Sequence, residues 1–245
     1  MHPREDSQRG GTDALREAAE TMRAVRDRCV WTQQIDHRAL VPYLVEESAE
    51  VIDAVEAGTP EGLREELGDL LWQVLFHAEI ASRSADAPFD IDDVARGLTE
   101  KMVRRHPHVF GDAVANTPEE VLVHWNAAKA AEKRARTSVL DGVSEHMPSL
   151  ALAQKLLGKA AQVGVTPPRN DDPAETPRDA VRLDWNVVSR PESEAELGDA
   201  LLALVADARA NGWDAERALR ERLRMLTAEV RAAEGARGDG SSLEE

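Results

Sequence analysis

The sequence predicts an all-α protein: a helical bundle followed by a second, smaller helical unit. Three observations carry that expectation. Apolar residues recur at three- and four-residue spacing along most of the chain, the period of one helix face. They make up 42% of the 245 residues, aromatic ones only 4%, so the core rests on Leu, Val and Ala, a mix that favours helices over sheets. Capping residues, prolines and glycines fall where the periodic stretches begin and end.

Residues 1–11 are polar and glycine-containing, and are expected as a disordered lead. A first helix is expected from Thr12, its N-cap, to about Arg28, with Leu15, Ala18, Met22 and Val25 on one face. Cys29, Val30 and Trp31 open a loop. A second helix, from about Arg38 to Ala57, carries Leu40, Leu44, Val51 and Val55 as its apolar stripe. Gly58 ends it, and Thr59 and Pro60 have the N-cap and first-turn chemistry of the next helix, which runs to about Ser84. Asp90 begins another, and Pro107 stops it at about Arg105, because proline disfavours a helical residue before it. Thr117-Pro118-Glu119-Glu120 opens a helix to about Arg136, and Leu150 to Gln162 forms a short one. These helices make a first domain over residues 12–164. Residues 165–193 change texture, with Pro167, Pro168, Pro173, Pro177 and Pro191, and are expected as a linker or eroded segment. The chain turns helical again over 194–235, and the Gly- and Ser-containing stretch 236–245 is expected as a disordered tail.

The net charge of −16 argues against a polyanionic partner such as duplex DNA. A single nucleotide remains compatible, since a local metal and a few Lys and Arg suffice to bind it. Cys29 is the only cysteine, so the chain has no intrachain disulfide, and the lone thiol fits a reducing cytosol. No apolar run approaches membrane-spanning length and no signal peptide is visible, so the expected setting is cytoplasmic, without a membrane partner.

The chemistry concentrates in Glu46-Glu47-Ser48-Ala49-Glu50 and Glu66-Leu67-Gly68-Asp69. Glu47 and Glu50 are three apart on one helix face, and so are Glu66 and Asp69 on the next. Two such helices packed antiparallel aim four carboxylates at one point. Charges that close repel and lose solvation, so they call for a cation between them. Oxygen ligands suit Mg2+, with Mn2+ as a substitute. A carboxylate-held Mg2+ most often serves a phosphate-bearing substrate. The plain rival is a solvated acidic surface, which is what most isolated ExxE pairs are.

EExxE, fifteen residues and then ExxD resembles the signature of the MazG family of nucleoside triphosphate pyrophosphohydrolases. The resemblance continues through Glu65 to Val74 and through Lys101-Met102-Val103-Arg104-Arg105-His106-Pro107-His108-Val109-Phe110. It ends near Trp125-Asn126-Ala127-Ala128-Lys129, similar to the family's WxxxK element. Val30 stands where the family's CPW element has proline. The resemblance implies a MazG-like bundle that dimerises or assembles further. It also implies Mg2+-dependent hydrolysis of NTPs or dNTPs to monophosphate and pyrophosphate, clearing non-standard or surplus nucleotides. Relatives that act on dUTP, dCTP or phosphoribosyl-ATP share the scaffold, and a non-catalytic helical interaction protein is the rival of another class.

Glu47, Glu50, Glu66 and Asp69 are the expected metal ligands and catalytic carboxylates. Glu46 points about 100° away from Glu47 and is read as supporting the ligands or as a base acting on water. Glu65 is expected to face outward. Lys101, Arg104, Arg105 and Lys129 are candidates for the leaving pyrophosphate, although positive charge at a helix C-terminus has its own electrostatic reason. Trp31 or Trp125 offers a stacking surface for a base, with packing between helices the alternative for Trp125. Trp72 is expected in the core. His106 and His108 flank Pro107 and suit a capping turn better than a metal site. No GxxxxGK[ST] loop is present, which disfavours a P-loop enzyme.

Glu66-Leu67-Gly68-Asp69 recurs as Glu196-Leu197-Gly198-Asp199, and Phe89-Asp90 recurs as Trp213-Asp214. Past that pair, Lys101, Arg104 and Arg105 align with Met225, Ala228 and Glu229, and no EExxE precedes the second copy. The second unit is therefore expected to be degenerate.

Overall fold

A computed structural model describes residues 13–132, 137–165 and 191–240, with side chains described to 232. The predicted lead 1–11, Thr12, most of the predicted linker and residues 241–245 lie outside the described residues. Among the described residues the regular structure is entirely helical. The chain forms two compact units, one ending at Glu132 and one following it.

The first unit begins with α1 (Ala14–Arg28), capped by Asp13, whose side chain accepts from the Arg16 N–H at 3.4 Å. A short 3-10 turn, Thr32–Gln34, leads to α2 (His37–Ala57). The buried Thr32 hydroxyl lies 3.0 Å from the carbonyl oxygens of both Val25 and Cys29 and donates to either. Asp36 caps α2 through the Ala39 N–H at 2.8 Å. Only Gly58 and Thr59 separate α2 from α3 (Pro60–Ser82), so the two helices form a tight antiparallel pair. Gly58 is required there: a Cβ would stand 2.7 Å from the Ala54 backbone. Thr59 accepts from the Gly62 N–H and Pro60 fills the first helical position, as the sequence predicts.

Met22, Leu40, Leu75 and Phe76 form the buried centre, with Val25, Ile35, Leu71, Trp72 and Ile91 packed against it. Trp72 is a core residue, edge-on to Phe76 with ring centroids 6.4 Å apart. A buried carboxylate ties α1 to α3. Glu79 accepts from Arg83 Nε at 2.9 Å and Nη2 at 2.6 Å, and Arg83 Nη2 also donates to Asp27 at 2.7 Å. Charge-assisted bonds of this kind satisfy a carboxylate that burial alone would penalise. Of the predicted α2 stripe, Leu40 is buried, Leu44 and Val51 are half-buried and Val55 is exposed. Val41, Val45 and Ile52, outside that stripe, are exposed too, as is Leu67 on α3.

Asp90 and Asp93 make a reciprocal capping box at the start of α4 (Ile91–Arg105), with bonds of 3.0 and 3.2 Å. His106 closes α4: its N–H donates to the Val103 carbonyl and its Nδ1 lies 2.7 Å from the Met102 carbonyl. Pro107 then starts the single turn α5 (Pro107–Phe110). The last helix of the unit is α6 (Pro118–Glu132).

In the second unit, α7 (Ser149–Ala160) packs against α8 (Glu194–Ala210) and α9 (Ala215–Gly240). Among its described residues, Leu157 and Val205 are buried. Gln154 donates to the Trp213 carbonyl at 2.9 Å, and a Cβ on Gly158 would meet Arg209 at 3.1 Å. The sequence reading grouped α7 with the first domain; its apolar face is spent here on α8 and α9. The helix α9 also continues to Gly240, through residues 236–240 of the segment read as a tail. No described helix is long and apolar enough to cross a membrane.

Candidate active site

The α2–α3 turn sets the register of the acidic residues. With the reversal centred between Gly58 and Thr59, Glu50 comes level with Glu66 and Glu47 with Asp69. Carboxylate oxygens of Glu47, Glu66 and Asp69 all lie within 4.8 Å of one another. Burial raises the Glu47 carboxyl above its ordinary range, and the charges of Asp69 and Glu50 raise it further. Glu66 is raised by burial and then by Glu50 and Asp69. The four predicted carboxylates thus share one electrostatic environment. Glu46 lies on the exposed side, adding charge next to Glu47, and Glu65 is exposed as expected.

Sequence reasoning missed Gln73. It is buried on α3, at the spacing Glu66, Asp69, Gln73 that keeps one helix face. Its amide hydrogen-bonds the Glu47 carboxylate and opposes the upward shift, while its Oε1 has no hydrogen-bond partner among the described residues. A polar residue in register with ExxD inside the apolar stretch from Leu70 to Phe76 was the available signal. The donor set fits a hard divalent cation: carboxylate oxygens converge, burial and their mutual repulsion raise Glu47 and Glu66, and an orphaned amide oxygen belongs to the Gln73 that bonds Glu47.

Tyr43, also missed, precedes Glu47 by one turn and shares its face. Trp31 meets it edge-on, with centroids 6.2 Å apart and planes at 88°. Both rings are exposed, so an aromatic pair faces solvent one helical turn before Glu47.

The predicted basic residues gather on a different helix pair. Arg104 and Arg105 end α4 and meet α6, where the guanidinium of Arg105 lies 5.0 Å from the Trp125 ring centre. His106 stands edge-on to the same ring at 5.2 Å. Trp125 is thus the platform of Arg105. Lys101 and Lys129 are half-buried on α4 and α6. Glu132, at the end of α6, binds both arginines and was not anticipated.

The MazG nucleotide pyrophosphohydrolase domain matches residues 35–110. The chain is 35% identical to a nucleoside triphosphate pyrophosphohydrolase of Escherichia coli K12, over 92% of this chain and 89% of that protein. The chain belongs to the MazG family. An uncharacterized 26.1 kDa protein of Streptomyces cacaoi, in the blaB 3' region, is 45% identical over 90% of this chain and 83% of its own length. A nucleoside triphosphate pyrophosphohydrolase of Mycobacterium tuberculosis is 47% identical over 65% of this chain but only 48% of its own length. Within this MazG chain the matched domain spans the four carboxylates and Lys101 to Arg105, while Trp31, Trp125, Lys129 and Glu132 lie outside it. Its echo, Glu196, serves local structure: the carboxylate accepts from the Glu192 N–H at 2.8 Å, next to the Ser193 cap of α8.

Proposed function

We propose that this protein is a divalent-metal-dependent pyrophosphohydrolase that converts NTPs and dNTPs to monophosphate and pyrophosphate. The observation that carries this is the convergence of Glu47, Glu66 and Asp69 within 4.8 Å, in a chain whose relatives bear that activity in their names. Glu47, Glu50, Glu66 and Asp69 would hold Mg2+, or Mn2+ in its place. When bound, the metal supplies charge neutralisation of the polyphosphate and polarisation of the reacting oxygen.

The chain's own residues do the rest. Gln73 fixes Glu47. Trp31, with Tyr43, offers a flat surface for the base. Water attacks phosphorus, a P–O–P bond breaks, and the water's proton passes to a carboxylate, for which Glu46 is the candidate. Lys101, Arg104, Arg105 and Lys129 balance the charge of the departing pyrophosphate. The role is clearance of unwanted nucleotides in the cytoplasm. The protein acts as a homodimer or larger assembly formed through the exposed Val41, Val45, Ile52 and Val55 of α2. The second unit is non-catalytic, since its Glu196 is spent on a helix cap.

Pyrophosphate release from standard and damaged NTPs and dNTPs, with Mg2+ and with EDTA, tests the proposal. Release should require the metal and vanish in Glu50→Gln while its helices stay folded by circular dichroism. Wild-type turnover in Glu50→Gln would sink the metal assignment.

A further inference from the structure

The two arginines assigned to pyrophosphate already hold an anion. Arg104 Nε donates to Glu132 Oε1 at 2.9 Å. Arg105 Nη2 donates to Oε2 at 2.6 Å, and its Nε lies 3.2 Å from each oxygen. One carboxylate thus bridges two guanidiniums, an arrangement that phosphate oxygens make equally well. The three side chains differ in freedom: that of Arg105 is 14% exposed and that of Glu132 19%, while that of Arg104 is 53% exposed. Trp125 holds Arg105 from below. Arg105 is a fixed anchor, and Arg104 is free to exchange one anion for another.

We infer that Glu132 is an internal competitor for the polyphosphate, occupying the Arg104–Arg105 fork until phosphate oxygens displace it. This rests on the proposal that these arginines face phosphate. Two consequences follow from competition for the same two guanidiniums. Every anion that takes the fork must first displace the carboxylate, so its apparent affinity is lowered by the fraction of time that Glu132 holds the arginines. The returning carboxylate also competes with bound pyrophosphate and speeds its departure. Glu132 therefore acts as a positioning residue that sets anion affinity and release through the arginines, without touching the reacting phosphorus.

Calorimetric titration of the full chain with inorganic pyrophosphate, and separately with orthophosphate, tests this without any turnover. Glu132→Gln keeps the shape and removes the charge. It should bind pyrophosphate about fivefold more tightly, the scale of a partly exposed ion pair, and gain a similar factor for orthophosphate, since both displace the same carboxylate. Glu132→Asp, too short to bridge both arginines, should lie between. Adding Arg104→Gln to Glu132→Gln should abolish the gain. Unchanged or weaker pyrophosphate binding in both single variants, with helicity intact, overturns the inference and makes Glu132 a structural brace. The two proposals fail separately. Tighter binding in Glu132→Gln without hydrolysis of any nucleotide would sink the enzymatic proposal alone. Hydrolysis with no change in affinity would sink the competitor alone.

Discussion

Adding Mg2+ to the metal-free protein should raise its melting temperature, and the acidic cluster sets the size of the effect. A ligand that binds only the folded state adds RT ln(1 + [L]/Kd), about 2.7 kcal/mol at a hundred times Kd. The described part of the first unit, residues 13–132, has 120 residues. At about 2.1 cal/mol/K per residue its unfolding entropy is about 0.25 kcal/mol/K. The melting temperature should therefore rise by about 10 °C. Scanning calorimetry in EDTA and then in increasing Mg2+ measures it, with ionic strength held constant by NaCl because salt screens the same repulsion. Glu66→Gln should lose most of the shift and, having one like charge fewer, melt higher than wild type in EDTA. The pH dependence has a definite sign. The folded-state carboxyls of Glu47 and Glu66 lie above their ordinary value of 4.5. The folded state therefore binds more protons than the unfolded one, and metal-free stability falls as pH rises from about 4.5 through the raised values. An equal Mg2+ shift in Glu66→Gln, or one reproduced by NaCl, would refute the cluster as a metal site.

Phe76→Ala, which empties the centre of the first unit's core, should cost about 3–5 kcal/mol by urea unfolding. Asp199→Asn should leave turnover unchanged; a large loss would show that the second unit takes part in catalysis. The Glu132 carboxyl, held down to about 2 chiefly by its bonds to Arg105 and then to Arg104, should titrate there by carbon-13 NMR and rise in Arg105→Gln, where only Arg104 still holds it down. Its depressed value means that the ion pair contributes in full above the ordinary value of 4.5 and is lost as pH falls toward about 2.

The α2–α3 register was legible because it depends on local signals. Gly58, Thr59 and Pro60 fix a tight reversal, and a three-residue spacing on each side brings the carboxylates level. Helix ends followed from single residues in the same way: Asp90 began α4 and Pro107 stopped it. The N-cap of α1 is Asp13 rather than Thr12, a one-residue difference between two good cap formers. Tertiary choices were less legible. Periodicity shows that α7 has an apolar face, but not that this helix packs on α8 and α9. It also marks an apolar stripe on α2 without saying that Leu40 is buried and Val55 exposed. At the basic cluster, composition showed cations at the end of α4. It could not show that Glu132, 27 residues beyond Arg105, folds back onto them. Gln73 and Tyr43 were readable in principle, since each keeps the helical register of a carboxylate already identified.

Phosphorus NMR of a nucleoside triphosphate incubated with the protein and Mg2+ separates the outcomes in one spectrum. Monophosphate and pyrophosphate should appear in equal amounts, with no diphosphate, and EDTA should stop the reaction. Diphosphate with orthophosphate would mean cleavage at a different bond. No consumption by the folded, metal-loaded protein of any nucleotide tested would contradict the proposed hydrolysis outright.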